Sequence, residues 1–199
     1  MGRKSLKKKR KNNPEKKEEW AKELIPHFQK KGLRDFTMDN VAEMLNVSKA
    51  TVYNYFKSRE EIVELCVAVK LSEVSHFSAI LMDNQTPYLE RYFLSLEDLT
   101  KNISGISNTF LSDLKHLFPA TWKTVNNFIE YALQILREYY EEGIQSGALE
   151  NANTSLIVMS DRFFLQSLSD PDFLNSHQLT LEEAFKQYFK IKFFGIVKR

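Results

Sequence analysis

The chain has a single cysteine, Cys66, in 199 residues, so neither an internal disulfide nor a multi-cysteine metal site can form within it. Cys66 lies in an apolar helical run, where a buried structural thiol is expected, and a reducing cytoplasmic setting fits. Glycine and proline are scarce, at six and five, which leaves few turn or breaker positions. Leu, Phe, Lys and Glu recur instead at spacings of three and four, predicting an all-α fold. No run approaches the roughly 18 apolar residues that a bilayer span needs, so no membrane is expected as a partner. The charged N-terminus is followed by no apolar stretch and does not fit a secretory signal. His27, His76, His116 and His177 form no i, i+4 pair, so no metal signature arises. There is no nucleophile–base pair or phosphate-binding loop, and carboxylates such as Asp113 and Asp161 have no evident catalytic partner. These absences weigh against an enzyme, and no cofactor is implied.

The charge that is present is unevenly placed, and that says more than the net +2. Residues 1 to 65 carry 16 Lys and Arg against 10 Asp and Glu, and the remainder 12 against 16. Most of the excess lies between Arg3 and Lys11, a block whose like charges repel and which has nothing to bury. It is expected to be a solvated tail in the free protein. In a complex, Arg3, Lys4, Lys9 and Arg10 would suit phosphates or an adjacent minor groove.

The stretch directly after the first predicted helix carries the chemistry. Val41, Ala42 and Leu45 give a short helix its inner face, Asn46 and Val47 make a turn, and Ser48 is a good N-cap for the next helix. Asn tolerates a left-handed backbone, as the turn requires. Val52 and Phe56 then face inward. Lys49, Ala50, Thr51, Tyr53, Asn54 and Tyr55 remain outward, offering short residues for close approach with hydroxyls and amines for phosphates.

The run Asn46-Val47-Ser48-Lys49-Ala50-Thr51-Val52-Tyr53-Asn54-Tyr55-Phe56-Lys57-Ser58-Arg59-Glu60-Glu61-Ile62, with Thr37 and Val41-Ala42 before it, resembles the DNA-binding signature of the TetR family of bacterial transcriptional regulators. The match covers roughly residues 20 to 65; beyond it only length and pattern are compatible. Two departures stand out: Asn46 where the family usually has Gly, and Pro26, which should kink the first helix. The resemblance implies a nine-helix, all-α fold with a three-helix DNA-binding domain and a larger C-terminal domain. It implies double-stranded DNA as partner. Lys49, Ala50, Thr51 and Asn54 would reach base edges, while Thr37, Ser48, Tyr53, Tyr55, Lys57 and Arg59 would contact phosphates. The expected division is a basic arm at 1–13, a helix-turn-helix domain at 14–60 and an effector and dimerisation domain at 61–199.

Periodicity sets out the remaining elements. A first helix runs from Pro14 to Lys31 and ends at Gly32. Ser58 caps a long fourth helix that continues to Thr86-Pro87. A fifth helix spans Tyr88 to about Lys101, a shorter one Phe110 to Leu117, and a long one runs from Pro119 to between Gly143 and Gly147. Residues 154–168 and 180–195 form the last two, around a loop at Asp170-Pro171.

The C-terminal two-thirds must house a heavy aromatic load. Taken with the resemblance, a cavity for a small apolar or aromatic effector is expected, lined by Phe77, Phe110, His116, Trp122, Phe128, Tyr131 and Phe163. The final helix is apolar over more than one stripe and should be covered on two sides. Phe164, Leu168, Leu181, Phe185, Tyr188, Phe189 and Phe193 are the expected homodimer contacts, in an isologous four-helix bundle. Sequence alone leaves two other readings open: an adaptor of this fold acting mainly through a protein partner, and a helical enzyme using the cavity.

Overall fold

The structure is a computed structural model that describes residues 13–168 and 171–196. Among them the chain folds into α1 (Pro14–Lys31), α2 (Met38–Met44), α3 (Lys49–Tyr55), α4 (Arg59–Val74), α5 (His76–Leu81), α6 (Tyr88–Ile103), α7 (Asn108–Leu117), α8 (Pro119–Ser146), α9 (Thr154–Leu168), α10 (Pro171–Ser176) and α11 (Leu181–Ile196). None of these helices is long and apolar enough to cross a membrane.

Local signals set most of the boundaries. The Asn13 side chain accepts from the Lys16 N–H, with Pro14 in the first turn. Thr37 and Asn40 form a reciprocal capping box on α2. Ser48 caps α3 and Ser58 caps α4. Asn46 takes the left-handed conformation, at φ 49°, as the turn between α2 and α3 demands. Gly147, at φ 75°, closes α8. α1 continues through Pro26 as one helix, and that residue stands on its exposed side, where water can replace the hydrogen bond the ring removes.

Two of the expected boundaries differ. The long fourth helix is divided at Ser75 into α4 and α5. There the Ser75 hydroxyl donates to the Ser72 carbonyl and the Ser78 hydroxyl to the Ser75 carbonyl, local bonds that compete with the helical ladder. The expected loop at Asp170-Pro171 is shortened by α10, which Pro171 opens with its preset φ; Asp170 itself lies outside the described residues. Counting α4 and α5 as one helix and setting α10 aside returns the nine expected.

The core comes in two clusters. The first packs Trp20, Leu24 and Phe28 of α1 against Val41, Val52, Phe56 and the first half of α4, and takes in Leu114 and Phe118. The second gathers Val74, Tyr92, Tyr139, Tyr140, Leu165, Phe189 and Phe193. α4 therefore runs from one cluster into the other. Two buried polar groups tie the second cluster together. Arg91 stands beside the stacked rings of Tyr88 and Tyr139, pairs with Glu142 and donates to the Leu81 carbonyl. Asp161 is fully buried and pairs with Lys192, and the Tyr140 and Tyr188 hydroxyls, each 3.1 Å away, donate to its oxygens. Burial pushes the Asp161 carboxyl up and the Lys192 ammonium down from their ordinary values, and the pairing opposes both shifts.

Candidate nucleic-acid interface and internal cavity

α2 and α3 meet across a turn that uses every capping group the sequence offers, and the result is a short helix displayed on a fixed base. Val52 and Phe56 are fully buried beneath it. On its outer side Ser48, Lys49, Ala50 and Tyr53 are exposed, with Thr51 and Asn54 half-buried. The Ser48 and Thr51 hydroxyls lie 2.8 Å apart, and Lys49 Nζ is 2.8 Å from an Asp39 oxygen. That contact with Asp39 holds the Lys49 ammonium above its ordinary pKa. The pair is open to water, and an exposed pair of this kind exchanges readily for a phosphate. Thr37 is exposed at the head of α2, and Lys57 is exposed just beyond α3.

Two of the expected phosphate contacts are engaged inside the protein. The Tyr55 ring lies edge-on to Trp20, with centroids 4.7 Å apart, because its position on α3 turns it toward α1. The Arg59 guanidinium donates to the Phe36 carbonyl at 3.4 Å and stands 5.3 Å from the Phe118 ring, so it braces the α1–α2 connection against the start of α8. Arg3, Lys4, Lys9 and Arg10 lie outside the described residues.

A second brace joins the same connection to α7. The buried Asp113 carboxylate accepts from the backbone N–H groups of Leu33, at 2.8 Å, and Arg34, at 3.0 Å. Gly32 makes this approach possible. Its φ is 79°, and a Cβ there would lie 2.5 Å from Asp113 Oδ2. One turn of α1 earlier, the Gln29 carbonyl accepts from the Ser107 N–H at 3.2 Å. The sequence shows no catalytic partner for Asp113; in the fold its partners are backbone amides some 80 residues away in sequence.

Between the helices lies a cavity of about 190 Å³. Engineered cavities of ~150 Å³ lined by Leu, Ile and Phe hold benzene, so this one has room for a small organic molecule. Phe77, Phe110, Trp122 and Phe128 line it, as do Leu71, Val74, Leu96 and Ile129. So do Ile25, Phe28 and Gln29 of α1, residues that no periodicity within the C-terminal region could have drawn in. Cys66 also borders it, and burial pushes that thiol up to about 12, which leaves it protonated and unreactive.

Three expected lining residues are elsewhere. His116 is exposed on the outer side of α7, with Nδ1 2.8 Å from the Ser112 carbonyl. Tyr131 is 43% exposed and its hydroxyl donates to Ser78. Phe163 is 59% exposed, because its neighbour Phe164 takes the inward position on α9. Conversely, Leu168, Leu181, Phe185 and Phe189, expected between subunits, line the cavity. Phe164 stacks on Tyr188 at 3.7 Å, and Phe193 stacks on Tyr92 at 4.0 Å, so these rings are satisfied within the chain. The apolar side chains left in water on α9 and α11 are Leu156, Met159, Phe163, Ile191 and Phe194. The first three fall at i, i+3 and i+7, a stripe legible in the sequence.

A helix-turn-helix displayed on an all-α body, braced to a separate apolar cavity, defines a DNA-binding protein of the helical regulator class. The model of the tetR family of bacterial regulatory proteins matches residues 27–66. The chain is similar to the uncharacterized HTH-type transcriptional regulator YvaF of Bacillus subtilis strain 168, with 27% identity over 162 residues, covering 81% of this chain and 85% of that protein. It is also similar to YhgD of the same organism, likewise described as an uncharacterized HTH-type transcriptional regulator, with 25% identity over 65% of this chain and 69% of the relative. A TetR-family transcriptional regulator of Marinobacter aquaeolei VT8 shares the fold at a TM-score of 0.69 and 19% identity, over 86% of each chain. Residues 27–66 thus match the tetR family of bacterial regulatory proteins, and over most of its length the chain is similar to HTH-type transcriptional regulators and shares the fold of TetR-family ones.

Proposed function

We propose that this regulator is a cytoplasmic repressor that binds a palindromic operator as a homodimer and leaves it when a small apolar or aromatic effector fills the cavity. The observation that carries this reading is the position of the cavity. Its wall is shared by α1, which underlies the DNA-reading helices, and by α7, whose Asp113 grips the backbone at Leu33 and Arg34. A ligand that prefers one arrangement of these helices shifts the population toward it, and with it the distance between the two recognition helices of a dimer. Successive major grooves demand a spacing of roughly 34–36 Å, so a small change lowers affinity.

In this reading residues 14–60 form the DNA-binding unit and 61–199 the effector and dimerisation unit, with residues 1–13 an arm that adds phosphate contacts. Lys49, Ala50, Thr51 and Asn54 face base edges. Thr37, Ser48, Tyr53 and Lys57 take phosphates, while Tyr55 and Arg59 set the height and tilt of α3. The second subunit covers Leu156, Met159, Phe163, Ile191 and Phe194, a cluster of large apolar side chains each 46–74% exposed.

Gel-shift titration tests the DNA-facing part. Tyr53→Ala should weaken binding to all sequences alike, as loss of a phosphate contact does. Deleting residues 2–11 removes seven Lys and Arg and should flatten the slope of log affinity against log salt. Unchanged affinity would remove Tyr53 from the interface, and an unchanged slope would remove the arm.

A further inference from the structure

The cavity wall is apolar almost throughout, and Gln29 brings to it a buried side-chain nitrogen unlike the other polar groups there. The Ser95 hydroxyl donates to the Tyr92 carbonyl at 2.9 Å, and the Tyr92 hydroxyl donates to the Phe189 carbonyl at 3.0 Å. Lys70 turns its ammonium to Glu73, 3.0 Å away. Gln29 differs. Its side-chain nitrogen Nε2 is buried and has no hydrogen-bond partner among the described residues. A buried donor left unmet is costly, and native proteins seldom keep one without a use for it. Water is a poor answer here, since a held water needs two to four polar partners and the wall is apolar almost throughout.

We propose that Gln29 Nε2 is the recognition donor of the effector site, and that the effector is a compact, uncharged apolar molecule bearing one hydrogen-bond acceptor oxygen, of the ketone or ester kind. This deepens the cavity reading above and rests on it. The charge state follows from the wall. A carboxylate would be stripped of water and could be met only by drawing the Lys70 ammonium off Glu73 and into the apolar wall, a desolvation that an uncharged molecule avoids. A plain hydrocarbon would fill the space and leave Nε2 unmet. A carbonyl does both jobs, and site-built hydrogen bonds of this sort discriminate better than shape alone.

The placement of Gln29 also explains how such a ligand would be felt at the DNA. Gln29 belongs to α1, next to Phe28 of the first core cluster, and its own carbonyl receives the Ser107 N–H at the head of α7. A ligand oxygen drawn to Nε2 thus bears on the junction that joins the cavity to the DNA-binding helices.

The test uses three probes of similar size on the full-length protein: acetophenone, α-methylstyrene, which replaces the carbonyl oxygen by CH₂ in nearly the same shape, and benzoate. Dissociation constants from ligand-observed NMR should favour acetophenone over α-methylstyrene by about three- to tenfold, the worth of one neutral hydrogen bond. Benzoate should bind most weakly. Gln29→Leu should abolish the preference for the ketone while still binding α-methylstyrene. Equal binding of the two neutral probes by the unaltered protein, or an undiminished preference in the Gln29→Leu protein, overturns the role of Gln29 and leaves the cavity reading standing. Tighter binding of benzoate overturns the uncharged class. Failure of all three to bind counts against the effector cavity itself, and the inference falls with it.

Discussion

Lys192→Met should destabilise the fold by about 3–5 kcal/mol at neutral pH, the usual cost of leaving a buried charge without its partner. Asp161 is wholly inaccessible, and among the described residues Lys192 is the cation that pairs with it. The loss has a predictable pH dependence. Burial already raises the Asp161 carboxyl, and removing Lys192 raises it further, so the folded variant binds a proton more readily than the unfolded chain does. A group raised in this way contributes stability that is fully present below its unfolded pKa and is lost as pH rises through its folded value. The deficit of the variant should therefore be small near pH 4, where the carboxyl takes a proton in place of the lysine. It should grow to its full size toward neutrality. The double variant Asp161→Asn, Lys192→Met should recover most of the stability, since neither charge is then buried. Urea denaturation at several pH values checks this; a deficit independent of pH would mean that packing, not charge, is lost.

The same pair fixes α9 against α11, and those are the helices that carry the exposed apolar face. Phe163→Asp together with Ile191→Asp should leave the monomer folded, because both side chains stand mostly in water, at 59% and 74% exposure. On a second subunit the carboxylates would meet apolar surface and one another. The protein should then sediment as a monomer and lose about 10²- to 10⁴-fold in operator affinity, the gain that joining two binding modules provides. Binding to a single half-site should be unaffected. A variant that stays dimeric would send the interface elsewhere. Phe93 and Leu94 on α6 are the next exposed apolar residues to consider, and Phe93 lies beside Phe193 and Phe194.

What could be read from the sequence depended on how local the determining physics is. The helix-turn-helix was legible because its boundaries are set within a few residues: Thr37, Ser48 and Ser58 as caps, Asn46 as the turn residue, Val52 and Phe56 as the inward pair. The long α8 was legible from Pro119 and Gly147 for the same reason. The terminal helices were harder. Phe185, Phe189 and Phe193 recur every four residues and so share a face, but periodicity does not say what that face meets. In the fold Phe185 and Phe189 close the chain's own cavity, and the less conspicuous Ile191 and Phe194 are left outside. The break at Ser75 depended on serine hydroxyls turning back onto the helix, a choice that apolar spacing does not reveal. The contributions of Gln29 and Asp113 are the least local of all. Each acts across 78 or more residues of chain, through a backbone amide or carbonyl with no sequence signature.

The repressor reading requires that two copies of α3 recognise one sequence twice, in opposite orientations, about one helical turn apart. Selection of bound duplexes from a random DNA pool by the full-length protein measures this directly. An inverted repeat should be enriched, with half-sites about 10–10.5 base pairs apart, centre to centre, or a multiple of that. Retention should fall steeply with salt. Enrichment of a single half-site, or of no sequence at all, would contradict the repressor reading.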